Sequence, residues 1–250
     1  MHSTVLWIFG ICFSLLFNFL FGRGIGDVSN RYRLSSSPSN QAFGIWGLIY
    51  TSLIVSSIYQ VVQLSSSTGS SQEQTNMTNT TSQGEDTNIS NFNAIKYSTG
   101  ASLILAGIWV PLFTRDTSTS QWISSFVLLA SVLPILISLS TPIVERKKME
   151  YLFVAVPSSL YAGWLIVATS LSFGISMKRS FQYDLSISTL GVIGWVVSLL
   201  SYVLKNPILP LPLAWAILFV DGSFSNSIAF SSLLSLSTTS LLNVVQVLNS

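Results

Sequence analysis

The chain has 250 residues, of which 8% are charged and 49% are hydrophobic, and its mean hydropathy is +0.60. A soluble domain carries roughly 25% charged residues, so this composition excludes a soluble globular protein and indicates an integral membrane protein. The formal net charge of +2 is too small to favour nucleic acid as a partner. Because His2 and Cys12 are the single histidine and cysteine, the sequence excludes a histidine-based metal site and an internal disulfide.

Charged residues separate about seven apolar spans along the chain. In chain order these are residues 4–22, 43–63, 97–113, 122–141, 151–176, 186–204 and 209–235. Backbone groups in lipid must be paired within the structure, and the apolar patterns are continuous rather than alternating. The sequence therefore predicts an all-α bundle of about seven transmembrane helices.

A polar tract lies between the second and third spans. Residues 65–93 are rich in Ser, Thr, Asn and Gln, which predicts a flexible loop. This tract holds three N-x-Ser/Thr sequons, at Asn76, Asn79 and Asn88. They arise either by chance from the composition or as glycosylation sites. The second interpretation is favoured and indicates a secretory-pathway or plasma membrane.

Tryptophan and tyrosine residues mark two depths in the predicted bundle. Trp46 and Tyr50 are four residues apart, so they share one face near the start of the second span. At that depth they form either an interfacial belt or one wall of a pocket. Trp164 and Trp195 lie near the centres of their spans, where an indole N–H needs a partner, so both are predicted to point into the bundle or a cavity.

Alternating spans bring several of these aromatic residues together. The start of the second span and the end of the third lie on the same side of the membrane, so Trp46, Tyr50 and Trp109 share a leaflet. Tyr161 and Trp164 approach them in depth. This arrangement predicts an aromatic pocket between helices, with a packed aromatic core as the alternative.

Asp221 is the one acid that the hydropathy pattern places inside a span. Such a residue often serves proton or ion transfer in membranes. The sequence Asp221-Gly222 also indicates a helix break at which the carboxylate caps the next segment. The helix break is the favoured interpretation, because no chain of buried acids or bases accompanies Asp221.

Three motifs occur in a characteristic order: Pro38–Tyr50, with Trp46-Gly-x-x-Tyr50, then Tyr97–Pro111, then Pro157–Thr169. In this order they resemble the second, third and fifth helices of the TspO/MBR family, the tryptophan-rich sensory or translocator proteins. The resemblance covers residues 1–177. It is nearest to the longer branch of the family, which has extra C-terminal helices.

The resemblance implies a five-helix core over residues 1–177 and an extension over residues 178–250 with two further membrane helices. It implies an intramembrane pocket for a tetrapyrrole or sterol, with haem or porphyrin as a ligand rather than a required cofactor. Lipid, a second copy of the chain or a membrane complex are the other partners it implies. The ligand-binding residues it implies are Trp46, Tyr50, Trp109, Tyr161 and Trp164.

Two departures from the family pattern concern the expected pocket lining. Ala106-Gly107 stands where the third helix of the family often carries Asn-Trp, and Ser172 stands at the position of a fifth-helix Asn. These changes argue against tetrapyrrole binding and against the porphyrin-degrading activity proposed for the family. The convergence of Trp46, Tyr50, Trp109 and Trp164 favours a non-enzymatic binding protein for a small hydrophobic ligand. The alternatives are a structural or assembly subunit of a membrane complex, and a seven-helix transporter or receptor.

Overall fold

A computed structural model describes residues 2–69, 83–140 and 148–248 of the chain. These residues form helices and no strand. The helices are α1 (His2–Arg31), α2 (Ile45–Gly69), α3 (Gln83–Thr114), α4 (Ser118–Leu139), α5 (Val156–Phe181), α6 (Ile187–Leu204), α7 (Leu211–Leu218) and α8 (Ser227–Leu248). A 3-10 turn at Asn40–Gly44 precedes α2, and a π-helical turn at Tyr151–Ala155 leads into α5.

Seven helices in the described part of the chain are long and apolar enough to cross a membrane. They are α1 to α6 and α8, whereas α7 has only eight residues. A helix rises 1.5 Å per residue, so about 20 residues match the hydrocarbon layer. The prediction of an all-α, multi-pass membrane bundle is confirmed.

Polar side chains and left-handed backbone residues set several helix ends. Thr117, Ser186 and Asn226 each accept a hydrogen bond from the amide three residues later, at 3.2, 3.2 and 3.1 Å. These bonds satisfy amides that have no partner within the helix. Gln182 and Lys205 adopt positive φ and end α5 and α6.

The helices run further into the polar tract than predicted. α2 continues to Gly69 and α3 begins at Gln83, so the predicted loop over 65–93 is too long at both ends. A helix already formed in the membrane gains one hydrogen bond for each residue added, and this does not require apolar side chains. Asn76 and Asn79 lie outside the described residues, and so does the side chain of Asn88.

Glycines bring α1 and α3 into backbone contact. A Cβ on Gly10 would lie 2.6 Å from the carbonyl oxygen of Gly100, and a Cβ on Gly100 would lie 2.8 Å from that of Leu6. Small residues at such positions let membrane helices approach closely. Beyond this pair, α3 packs against α4 and α4 packs against α5. α2 packs against α1 and α5.

The last two long helices run parallel to each other. Near the start of both, Gly191 of α6 packs against Ala229 of α8. Near the end of both, Asn243 Nδ2 donates to the carbonyl oxygen of Ser201 at 3.0 Å. Parallel neighbours can be joined only by a segment that returns across the bundle. Residues 205–226, which include α7, make this return.

The predicted continuous span over 209–235 is therefore wrong. Pro210 and Pro212 lie at the start of a new short helix, and Gly222 has a φ of +77°, which turns the chain before α8. Average hydropathy does not detect such a break, because the residues on both sides of it are apolar. The break itself agrees with the favoured interpretation of the Asp221-Gly222 sequence.

Two positions expected inside the bundle lie on its surface. The side chain of Asp221 is 93% exposed, so this acid is not buried in the membrane interior. Trp195 is 43% exposed on the outer face of α6, so the prediction that it points inward is wrong. Trp164 is 1% exposed, as predicted for a residue in the bundle interior.

Buried amides attach the returning segment to the core. Asn206 Nδ2 donates to Ser159 Oγ of α5 at 2.8 Å, and Ser201 Oγ donates to the carbonyl oxygen of Asn206 at 2.6 Å. The Leu209 carbonyl sits against Gly163, where a side chain would have no room. Buried polar groups with good partners fix a unique arrangement of helices.

Gly10→Ala tests the contact between α1 and α3. The added Cβ meets backbone that cannot move aside, so we expect a loss of about 1–3 kcal/mol in stability, seen as a lower Tm in detergent. Gly22→Ala on the same helix is the control, since a Cβ there meets nothing within 4 Å. Helix propensity should leave its Tm unchanged or raise it. Equal Tm values for the two variants would contradict the close contact.

Candidate functional site

A cavity of about 310 Å³ lies within the bundle on the side of the membrane where α1 ends and α2 begins. We call this the mouth side and call residues 32–44 the mouth segment. The exposed residues Asn30, Arg33 and Asn40 mark the opening. The described residues that line the cavity are Asn18, Ile25, Ser29, Asn30, Arg33, Ser37, Pro38, Ser39, Asn40, Phe43, Trp46, Trp109, Phe113, Trp164, Ala168, Leu171, Ser172 and Ile175.

Aromatic rings form the inner wall of this cavity. The Trp46 and Trp164 rings meet edge to face, with centroids 5.9 Å apart and planes at 79°. Phe43 meets Trp164 in the same way, at 5.9 Å and 86°. Such edge-to-face contacts are favoured by the charge distribution of aromatic rings. The wall therefore presents fixed apolar surfaces.

Tyr50 lies beside the cavity rather than in it. Its ring stacks on Trp46 at a centroid distance of 5.3 Å. Its hydroxyl is 2.8 Å from Ser14 Oγ and accepts a hydrogen bond from Asn18 Nδ2 at 3.2 Å. These bonds join α2 to α1. They fix the Tyr50 ring, which in turn supports the Trp46 ring.

Tyr161 is not among the residues that line the cavity. It is completely buried, and its ring centroid is 6.5 Å from that of Trp46. Of the five residues predicted to bind a ligand, the structure thus brings Trp46, Trp109 and Trp164 to the cavity. Ligand binding by all five stays a prediction.

Two indole N–H groups in the wall lack partners. Within the described residues, Trp109 Nε1 and Trp164 Nε1 are buried and make no hydrogen bond. A buried donor without an acceptor is unfavourable by about 1–3 kcal/mol. Both rings line the cavity, whereas the two nitrogen atoms themselves are shielded from it by surrounding protein atoms.

The departures from the family pattern have different positions. Ser172 lines the cavity, and its hydroxyl is 2.8 Å from Ser125 Oγ of α4. Ala106 borders a small void of about 10 Å³ beside Trp109. Gly107 faces α1, because a Cβ there would lie 2.7 Å from the Phe13 ring. The expectation that Gly107 alters the pocket lining is wrong; this glycine permits helix contact.

Hydrogen bonds attach the outer half of the mouth segment to the connection between α5 and α6. The Ser35 amide donates to Asp184 Oδ1 at 3.1 Å, and Ser35 Oγ donates to the carbonyl oxygen of Leu185 at 3.1 Å. Leu34 is 3% exposed and packs with Val28, Phe113, Ile175 and Leu185. This half of the segment is therefore fixed at the cavity opening.

The C-terminal extension holds the inner half of the mouth segment. The Ser39 amide donates to the carbonyl oxygen of Phe219 at 2.8 Å. Trp215 Nε1 donates to the carbonyl oxygen of Ala42 at 2.9 Å. Non-helical backbone within a membrane bundle is stable only when its polar groups have such partners or line a cavity.

Charged residues surround the opening on the mouth side. Arg31 and Arg179 both form ion pairs with Asp116, whose side chain is 19% exposed. Arg33 lies 3.8 Å from Asp221 across a more exposed gap. The cluster joins the ends of α1, α3 and α5 to the turn before α8.

Sequence reasoning missed the contribution of α1 and the mouth segment to this site. Asn18 was detectable, because it is a polar residue inside the apolar span 4–22. Arg33 and Phe43 gave no such signal, since their positions depend on how the mouth segment folds back into the bundle. The described residues hold no cluster of metal-binding side chains.

Comparison with known families now adds to this geometry. The family described as TSPO-like protein matches residues 1–246. The chain belongs to this TSPO-like family. The suspected relation to the TspO/MBR family is confirmed, and the match extends over the C-terminal helices as well as residues 1–177. No curated protein and no solved structure matches the chain.

Trp215→Phe tests how the extension holds the mouth segment. Loss of one hydrogen bond of about 0.5–1.5 kcal/mol should raise amide exchange in residues 39–44 by about twofold to tenfold. Trp122→Phe is the matched control, because it removes an indole bond of 3.0 Å to Ser180 on another part of the bundle. Exchange that stays at the wild-type level in Trp215→Phe would contradict this role of Trp215.

Proposed function

We propose that this multi-pass membrane protein binds a small hydrophobic ligand of the tetrapyrrole or sterol class in the cavity behind the mouth segment. Its role is regulatory or linked to transport, and it is not an enzyme. The observation that carries the proposal is the cavity of about 310 Å³ whose inner wall consists of aromatic rings at fixed angles.

The size and lining of the cavity support a ligand site. Small-molecule pockets occupy about 300–1,000 Å³ and combine apolar walls with few polar groups. Flat, rigid ligands suit this wall, because Trp46 and Trp164 already hold each other at fixed angles. A bound molecule then loses little energy in reordering the protein.

A binding role is also supported by the chemistry of the described lining. It offers aromatic rings, amides, hydroxyls and one guanidinium. General acid–base or nucleophilic catalysis needs a proton acceptor beside the reacting group, and these side chains are weak acceptors. Retention or transfer of a hydrophobic molecule requires no such group.

Trp164→Phe tests the ligand site directly. The full-length protein in detergent should show saturable quenching of tryptophan fluorescence by protoporphyrin IX or by a fluorescent sterol. Loss of part of the Trp164 ring from the aromatic wall should weaken binding by about twofold to tenfold. Trp195→Phe is the control, because this residue lies on the outer face of α6 and should leave Kd unchanged.

Absence of saturable quenching by either ligand would contradict the proposal. Co-purification in a stable membrane complex, with Trp46→Phe and Trp164→Phe affecting stability alone, would instead indicate a structural or assembly subunit.

We further propose that the protein resides in a secretory-pathway or plasma membrane, on the basis of the sequons at Asn76, Asn79 and Asn88. Endoglycosidase treatment of protein from eukaryotic cells should increase its gel mobility. The triple variant Asn76→Gln, Asn79→Gln, Asn88→Gln should already migrate at the faster position. Equal mobility of treated and untreated wild type would contradict this location.

A further inference from the structure

We infer that the ligand of this cavity is an amphipathic anion, with an oxyanion group held by Arg33 at the opening and an apolar body against the aromatic wall. This inference rests on the proposed function and specifies the chemistry of its ligand. It also assigns Arg33 as the residue that determines specificity for charge.

The lining of the cavity carries positive charge only. Arg33 is the single charged residue among the described residues that line the cavity, and none of these is acidic. The remaining polar lining residues, such as Asn18, Asn30 and Asn40, are neutral. A cleft with one sign of charge and apolar walls concentrates the field at its opening. The complementary ligand group is therefore negative.

The polarity of the cavity changes along its length. Asn30, Arg33 and Asn40 lie at the exposed opening, whereas Trp164 at the inner wall is almost fully buried. A ligand that matches this change in polarity has a polar group at one end and an apolar body at the other.

The backbone of Arg33 is held at its carbonyl group and at the two residues that follow. Lys178 Nζ of α5 donates to the carbonyl oxygen of Arg33. Leu34 is buried in a hydrophobic cluster, and the amide of Ser35 is bonded to Asp184 at 3.1 Å. The protein thus positions the start of this side chain before any ligand arrives, which lowers the entropy lost on binding.

The guanidinium of Arg33 is weakly engaged, unlike those of its neighbours. Arg31 and Arg179 share the partly buried Asp116. Arg33 approaches Asp221 at 3.8 Å, with side chains that are 62% and 93% exposed. Exposed pairs of this kind contribute little to stability, and a guanidinium has five donors. A ligand oxyanion can replace Asp221 and form two parallel hydrogen bonds with the fork of Arg33.

Asp221, which belongs to the C-terminal extension, consequently competes with the ligand oxyanion for the guanidinium of Arg33. It lies in the turn between α7 and α8, and α7 also holds the mouth segment through Trp215. Removal of its charge should strengthen the binding of anionic ligands and leave neutral ligands unaffected.

The test compares acid and ester forms of one ligand on the full-length protein in zwitterionic nanodiscs. The probes are protoporphyrin IX and its dimethyl ester, measured by tryptophan quenching. We expect the acid to bind about tenfold more tightly than the ester. Arg33→Gln should abolish this difference, Arg33→Lys should retain part of it, and Asp221→Asn should increase it. Arg115→Gln is the control, since Arg115 is an exposed arginine that does not line the cavity.

A second pair of probes checks that the preference does not depend on the porphyrin ring. Cholesteryl hemisuccinate should displace the bound porphyrin at lower concentration than cholesterol does. Nanodiscs with phosphatidylserine distinguish the source of the anion. Competition by this lipid, lost in Arg33→Gln, would support the inference with a lipid headgroup as the bound group, and its absence would support a free amphiphile.

Equal affinity for acid and ester in the wild type would overturn the inference, as would an acid preference that persists in Arg33→Gln. Both results leave the proposed hydrophobic site standing, because the ligands still bind. Failure of acid and ester alike to quench the wild type would overturn the proposed function itself. The Tm of each variant in the ligand-free state separates loss of binding from loss of folding.

Discussion

The mouth segment interrupts the α-helices of a bundle that lipid surrounds, so its backbone needs hydrogen-bond partners from elsewhere in the protein. Asp184 and Leu185 supply partners to the outer half, and Phe219 and Trp215 supply them to the inner half. The same segment lines the cavity from Ser37 to Asn40 and again at Phe43. The C-terminal extension is therefore a structural requirement of the site as well as an addition to the core.

Hydropathy was sufficient to predict the long helices, because each must present about 20 apolar residues to lipid. Hydropathy failed where the backbone changes direction without a change in composition. The region 209–235 is apolar throughout, yet prolines and Gly222 divide it into α7, a turn and α8. At the end of α2 and the start of α3 the prediction was wrong for the opposite reason. The residues there are polar, yet the helices continue through them beyond the membrane. Parallel packing of α6 and α8 is a long-range property that local patterns do not contain.

For the site, the depth of each aromatic residue in the membrane could be predicted from the sequence, but the direction of its side chain could not. The depth of a residue follows from its position in a span, and this placed Trp46, Trp109 and Trp164 together correctly. Direction around the helix axis depends on the neighbouring helices. Tyr161, three residues before Trp164, therefore lies in the packed interior, and Trp195 faces outward although it is central in α6. Arg33 could not be predicted, because its place at the opening results from contacts with residues about 150 positions away.

The parallel arrangement of α6 and α8 also determines whether the chain crosses the membrane an even or an odd number of times. With the return through α7, the described chain makes an even number of passages, so His2 and Leu248 emerge on one face of the membrane. Seven alternating passages would place them on opposite faces. The end of α2 and the start of α3 lie on the same face as the two ends, and the cavity opens toward the other face. If the sequons carry glycans, the cavity therefore opens toward the cytosol.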